Sequence, residues 1–316
     1  MAMGGWASGL EAVVQTDPVQ APPIFRSGVD LVSVSAVVRD RKGRVVRNLS
    51  KADFVVSDGA EVRPIVDFSA NELGPASLAL LFDVSGSMEG KTKIDAARRA
   101  AGYVLSWLQP GVDEAAVFTF DSRLQEVQGF TSELGPLREA LRTFKPFGAT
   151  SLYDAIAETA RRVDVRTNKR RGILVLTDGV DTNSRLTPAA VSAIANSIDM
   201  PVYLFEVVSP LDHPGGRDSV VSATASASAG ALSDLARWTG GDLFVMSTPS
   251  QASLAAGQLL SELRHQYLIA FEPAPEAGWH RLDIRTRDSG WSVRTRSGYI
   301  SGKREPWPTL RAPEHE

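Results

Sequence analysis

Between Val29 and Phe68 apolar and polar positions alternate with a period of two. The run Asp30-Leu-Val-Ser-Val-Ser-Ala-Val-Val38 reverses at Arg41-Lys-Gly43, and Phe54-Val-Val56, the turn Ser57-Asp-Gly59 and Ile65-Val-Asp-Phe68 repeat the alternation. A period of two sends successive side chains to opposite faces, so these segments read as antiparallel strands with one wet face. From Ser77 the pattern changes. Continuous apolar runs recur at Leu78-Ala-Leu-Leu-Phe82, Ala116-Val-Phe-Thr-Phe120, Ile173-Leu-Val-Leu176, Val202-Tyr-Leu-Phe205 and Leu243-Phe-Val245. Between most of them the apolar spacing is helical: Ile94, Ala97, Ala101, Val104, Leu105 and Leu108 form one stripe, and Leu152, Ile156 and Val163 suggest another. Strands apolar throughout, alternating with amphipathic helices, predict a mostly parallel sheet covered on both faces. After a helix ending near His265 the period of two returns in Tyr267-Leu-Ile-Ala-Phe271, His280-Arg-Leu-Asp-Ile-Arg285 and Trp291-Ser-Val-Arg-Thr-Arg296.

The order is therefore β, then α/β, then β again. Each flank holds a few short strands, too few for independent stability. The expectation is a doubly wound α/β domain over 75–265, inserted in a smaller β-sandwich-like domain built from residues 28–72 and 266–300. Residues 1–27, with Pro18, Pro22 and Pro23, read as a mobile lead-in, and 301–316 as a tail. The first stretch lacks a positive n-region and carries Glu11, so as written it is a poor signal peptide; the alternative is the remnant of one.

Composition narrows the chemistry. The 316 residues include no cysteine, which excludes thiol catalysis, Cys-ligated metals and disulfides. A net charge of -3 argues against nucleic acid as the default partner, because phosphate binding needs a basic surface. No apolar run reaches the ~18 residues that a membrane-spanning helix needs.

The residues with chemical promise stand where the apolar strands end. The first strand runs into Asp83-Val-Ser85-Gly-Ser87-Met, a later one ends Leu176-Thr-Asp178-Gly179, and Phe147-Gly-Ala-Thr150-Ser151 opens a helix between them. In an open α/β sheet the loops at the carboxyl ends of strands gather into one crevice. Asp83, Ser85, Ser87, Thr150 and Asp178 are therefore expected to converge. Two carboxylates and three hydroxyls are all hard oxygen donors, suited to Mg²⁺, with Mn²⁺ or Ca²⁺ as alternatives. Mostly neutral donors leave such an ion short of negative charge, and a partner's carboxylate supplies it.

These three spaced motifs resemble the von Willebrand factor type A domain, over roughly Ser77 to Val245. The flanking Leu49-Ser-Lys-Ala-Asp-Phe54, Asp58-Gly59, Tyr267-Leu-Ile-Ala-Phe271, His280-Arg-Leu-Asp-Ile and Val293-Arg-Thr-Arg-Ser-Gly-Tyr299 are similar to the bacterial VWFA-related Acidobacterial-type family. The resemblance implies a metal-dependent adhesion site. Ser85, Ser87 and Thr150 then ligate the ion directly or nearly so, and Asp83 and Asp178 act directly or through water. It implies a protein partner presenting a carboxylate, no enzymatic activity and an extracytoplasmic setting. Gly148-Ala149 departs from the Gly-Gly of many relatives.

A scaffold subunit working beside an ATPase is the main alternative. A Mg-dependent hydrolase is disfavoured: a phosphatase of the haloacid-dehalogenase kind needs a second Asp where Ser85 stands, and the four histidines lie outside the motif loops. Turn and helix-capping chemistry accounts for Asp83, Ser85 and Ser87 singly, but not for all five positions together. Asp181 and Asn183 read as solvated loop residues, and Asp154 as serving its helix's first turn. Arg161-Arg162 and Lys169-Arg-Arg171 read as a solvated helix end and loop. Trp279, Trp291, Trp307 and Tyr299 read as sandwich packing. Residues 209–230, rich in Ser and Ala, are expected to form a mobile loop that touches nothing; the alternative is a lid in which Asp212 or Asp218 offers the crevice its missing carboxylate.

Overall fold

The computed structural model describes Met1 and residues 31–70, 74–89, 91–209 and 230–302. The lead-in, the tail and the expected loop with Asp212 and Asp218 thus lie wholly or largely outside the described residues.

Before the α/β region come β1 (Val32–Arg39), β2 (Phe54–Asp58), β3 (Glu61–Arg63) and β4 (Ile65–Ser69). After it come β11 (Tyr267–Phe271), β12 (Gly278–Thr286), β13 (Ser292–Arg294) and β14 (Gly298–Ser301). They interleave. One sheet has the order β13-β1-β11-β4 and the other β14-β12-β2-β3, with antiparallel pairs throughout. Each sheet therefore needs strands from both flanks. The inward faces of the alternating runs supply the shared core: Val34, Ala36 and Val38 from β1, Phe54 and Val56 from β2, Ile269 and Phe271 from β11, Leu282 and Ile284 from β12. Of the residues read as sandwich packing, Tyr299 is buried and Trp291 packs against this core. Trp279 departs from that reading and is 57% exposed. Its ring covers Gly298, where a β-carbon would come within 2.6 Å of it. Trp307 lies outside the described residues.

Inserted between β4 and β11 is a six-stranded sheet in the order β10-β9-β8-β5-β6-β7. Its strands are β5 (Ala76–Asp83), β6 (Glu114–Phe120), β7 (Leu124–Thr131), β8 (Arg170–Thr177), β9 (Val202–Val207) and β10 (Leu243–Met246). All pairs are parallel except β6 with β7. That antiparallel edge strand follows β6 directly, and its sequence is too polar to stand out as a buried run.

The helices are α1 (Lys91–Trp107), α2 (Leu134–Ala140), α3 (Leu152–Asp164), α4 (Pro188–Ser197), α5 (Gly230–Thr239) and α6 (Pro249–Arg264). They cover both faces. On β5, Leu78, Leu80 and Phe82 join the core under α1, α2 and α6, while Ala79 and Leu81 join the core under α3, α4 and α5. The expected stripe on α1, from Ile94 to Leu108, is buried at every position. The fold is thus a doubly wound α/β domain set into a sandwich of N- and C-terminal strands, as the sequence pattern predicts.

Strand order reverses beside β5, which pairs with β6 on one side and β8 on the other. The connections leaving β5 diverge there, opening a crevice at its carboxyl end. That end is Asp83. Among the described residues no helix is long and apolar enough to cross a membrane.

Candidate metal site at the strand ends

Asp83 closes β5 and is fully buried. Its Oδ1 accepts the Ser85 N–H at 2.9 Å, and its Oδ2 accepts the Thr177 hydroxyl at 2.6 Å. Thr177 ends the neighbouring β8, so one carboxylate ties two strand ends together. Burial pushes the Asp83 pKa up; the Ser85 and Thr177 hydrogen bonds oppose this, and the nearby charge of Asp178 adds to it.

From Asp83 the chain turns through a short 3-10 segment, Gly86–Met88, anchored by the fully buried Met88. This turn presents Ser85 and Ser87 side by side, their hydroxyl oxygens 3.0 Å apart. Ser87 donates to Asp178 Oδ1 at 3.1 Å. Lys93, in the first turn of α1, donates to Asp178 Oδ2 at 2.8 Å and to the Ser87 carbonyl at 3.2 Å.

The Thr150 loop is fastened to the same turn by its backbone. Phe147 donates its N–H to the Val84 carbonyl at 2.6 Å, and Gly86 donates to the Gly148 carbonyl at 2.9 Å. Gly148 has φ +97°, a left-handed conformation suited to glycine. The following residue needs no such freedom, so Ala149 in place of a second glycine is accommodated. Thr150 itself is buried.

The turn after Asp178 holds this loop from the other side. Thr182 and Asn183 donate their N–H groups to the Thr150 carbonyl at 3.0 and 2.9 Å, and the Thr182 hydroxyl accepts the Thr150 N–H at 3.0 Å. Asp181 accepts the Leu152 N–H at 2.8 Å, and Ser184 those of Tyr153 and Asp154 at 2.9 and 3.3 Å. These are the first amides of α3, which have no partner within the helix. Asp181 and Asn183 are therefore more than solvated loop residues. Asp154 returns the contact, its carboxylate accepting the N–H groups of Arg185 and Leu186. The basic runs are engaged locally: Arg161 and Arg162 with Glu158, and Arg171 with Asp164.

Asp83, Ser85, Ser87 and Asp178 thus form one hydrogen-bonded series, and the loop that carries Thr150 is fastened to their turn through Phe147 and Gly148. Sequence reasoning missed Thr177, Lys93 and the clasp at 181–184. Nothing in the sequence set Lys93 apart from Lys91 in the same helical turn.

Among the described residues no group of three or more His, Asp or Glu side chains is gathered as a metal cluster. The donors here are of another kind: two adjacent hydroxyl oxygens, a carboxylate oxygen already bonded to one of them, and a buried carboxylate behind. An all-oxygen set of this sort fits a hard divalent cation.

Residues 78–180 match the profile of the von Willebrand factor type A domain. The chain contains a domain of that family. Similar solved structures include a von Willebrand factor type A protein from Catenulispora acidiphila, 13% identical, TM-score 0.49, covering 87% of this chain and 76% of that one. The conserved hypothetical protein BatB from Bacteroides thetaiotaomicron is 15% identical, TM-score 0.47, over 59% of this chain and 98% of its own. The vWF domain of the type V pili tip protein Mfa5 from Porphyromonas gingivalis is 20% identical, TM-score 0.31, over 35% and 40%. No curated protein shows significant similarity to the chain.

Proposed function

We propose that the chain is a metal-dependent binding module that captures an acidic group of a partner protein through a divalent cation. Domains of this family act in general in protein interaction and adhesion. The observation that supports the metal reading is the hydrogen-bonded series of oxygen donors from Asp83 through Ser85 and Ser87 to Asp178, with the Thr150 loop fastened to the same turn. These five residues would hold the ion, Mg²⁺ or else Mn²⁺ or Ca²⁺, and the ion when bound would act as a Lewis acid for an incoming carboxylate. The chain's own part is to keep the hydroxyls adjacent. Met88 anchors the 3-10 turn, Thr177 orients Asp83, and the 181–184 turn positions the Thr150 loop.

A binding rather than catalytic role fits the surroundings of the described histidines: His280 faces Asp58 and Tyr299 in the sandwich, and His265 ends α6. An extracytoplasmic setting belongs to the same proposal, on the family resemblance.

Titration calorimetry with Mn²⁺ tests the assignment. The wild type is expected to bind one ion with modest affinity and Asp83→Ala to lose measurable binding; equal binding by both would remove these residues from the site. Partner capture that persists in EDTA would reject metal dependence even if an ion binds.

A further inference from the structure

The ammonium of Lys93 stands against one oxygen of Asp178 at 2.8 Å while Ser87 holds the other at 3.1 Å. The pair is sheltered: the Asp178 side chain is 5% exposed and that of Lys93 32%. Resting on the metal-site reading above, we infer that Lys93 determines the site's specificity, trading metal affinity for the ability to capture an anion.

Asp83 and Asp178 are the two carboxylates of the donor set; with both ionised they offset the charge of a divalent cation and weaken its demand for a further anion. Lys93 cancels one of them. The ion then carries a net positive charge into the crevice, and a partner's carboxylate completes the neutralisation. The same ammonium repels the metal, so the gain for the partner comes at the expense of the ion. Lys93 is also held where it is otherwise unfavourable. It lies in the first turn of α1, which carries no acidic residue, and a cation there opposes the helix dipole. The Asp178 contact and the Ser87 carbonyl supply the compensation.

The position of Lys93 separates this role from a structural one, because the two affinities move in opposite directions when the charge is removed. Lys93→Met keeps most of the stem and deletes the ammonium. Calorimetry with Mn²⁺ on the full chain is expected to show binding tightened by roughly tenfold, the scale of relieving repulsion between a divalent and a monovalent cation at short range under partial screening. Acetate serves as the carboxylate probe, titrated against Mn²⁺-loaded protein and read by water-proton relaxation. Its affinity is expected to fall by about fivefold or more by the same reasoning. Lys93→Arg, which retains the charge, should stay close to wild type in both. Lys93→Gln provides the same measurement should the Met variant fold poorly, as checked by circular dichroism. Weaker Mn²⁺ binding in the neutral variants would overturn the inference and make Lys93 an orienting group for Asp178. Unchanged acetate affinity would overturn it too. No Mn²⁺ binding by the wild type would reject the metal reading itself, whereas wild-type binding with unaltered neutral variants would reject the role of Lys93 alone.

Discussion

Asp83 shows how one buried carboxylate couples the site to acidity. Its pKa is raised chiefly by burial, so in the metal-free protein its protonated form is favoured on folding. The contribution to stability is therefore full below the pKa of an unfolded aspartate and is lost as pH rises through the higher folded value. Asp83→Asn removes the titration. Without metal, the melting temperature of the variant relative to wild type should increase from acid to neutral pH, a trend that differential scanning calorimetry reads directly; a flat difference would contradict the raised pKa. On the proposed metal reading Mg²⁺ would reverse the balance, because a metal ion binds the ionised carboxylate. Saturating Mg²⁺ should stabilise the wild type more at neutral pH than in mild acid, and Asp83→Asn little at either. That Asp83, Ser85, Ser87 and Asp178 come together was legible in the sequence, because strand ends in a parallel sheet converge whatever their separation along the chain. Thr177 and Lys93 were not, since their roles depend on which oxygen of a carboxylate each one reaches.

At the scale of elements, the 181–184 turn and the start of α3 behave as one unit. Asp181 and Ser184 together serve three amides of the first helical turn, and Thr182 and Asn183 bind the Thr150 backbone. Removing the hydroxyl in Ser184→Ala leaves two of those amides short of a partner and should cost about 1 kcal/mol in urea unfolding. Mn²⁺ affinity should fall at the same time, because the loop carrying Thr150 loses its support. If stability falls and metal binding does not, the Thr182 and Asn183 bonds to Thr150, with those of Val84 and Gly86 to Phe147 and Gly148, suffice to hold the loop. Helices α1 and α3 were readable from their apolar stripes. The clasp was not, because Asp-Thr-Asn-Ser is also the composition of an ordinary solvated turn, and only the neighbouring loop reveals its use. The polar edge strand β7 escaped for a related reason: its burial pattern has no fully buried position, so no strong apolar signal marks it.

The whole molecule is held together at the seam between the α/β domain and the sandwich. Glu262, at the end of α6, is fully buried and pairs with Arg39 of β1 and Arg294 of β13, while Arg294 also meets Asp242. Nearby, Arg296 donates to the Ser33 carbonyl at 2.8 Å, and Ser35 donates to Asp199 at 2.7 Å. Removing one member of a buried ionic network leaves the others uncompensated, so Glu262→Ala should destabilise the protein by about 3 kcal/mol; a loss within error would mean that the seam contributes little. The insertion was legible because the period of two stops and returns, but the seam was not, as its arginines look like the wet face of a strand. The interleaved sheets also govern how the molecule bears tension. A pull applied at Leu31 and Gly302 enters through β1 and β14, and every strand of the α/β domain lies within the intervening loop between β4 and β11. The sandwich therefore shields the inserted domain mechanically: its inter-strand hydrogen bonds must rupture before any force reaches the crevice. In single-molecule stretching the sandwich should yield first and the α/β domain second with the greater gain in length, so a module tethered by both ends keeps its binding site unstrained until the clamp around it fails.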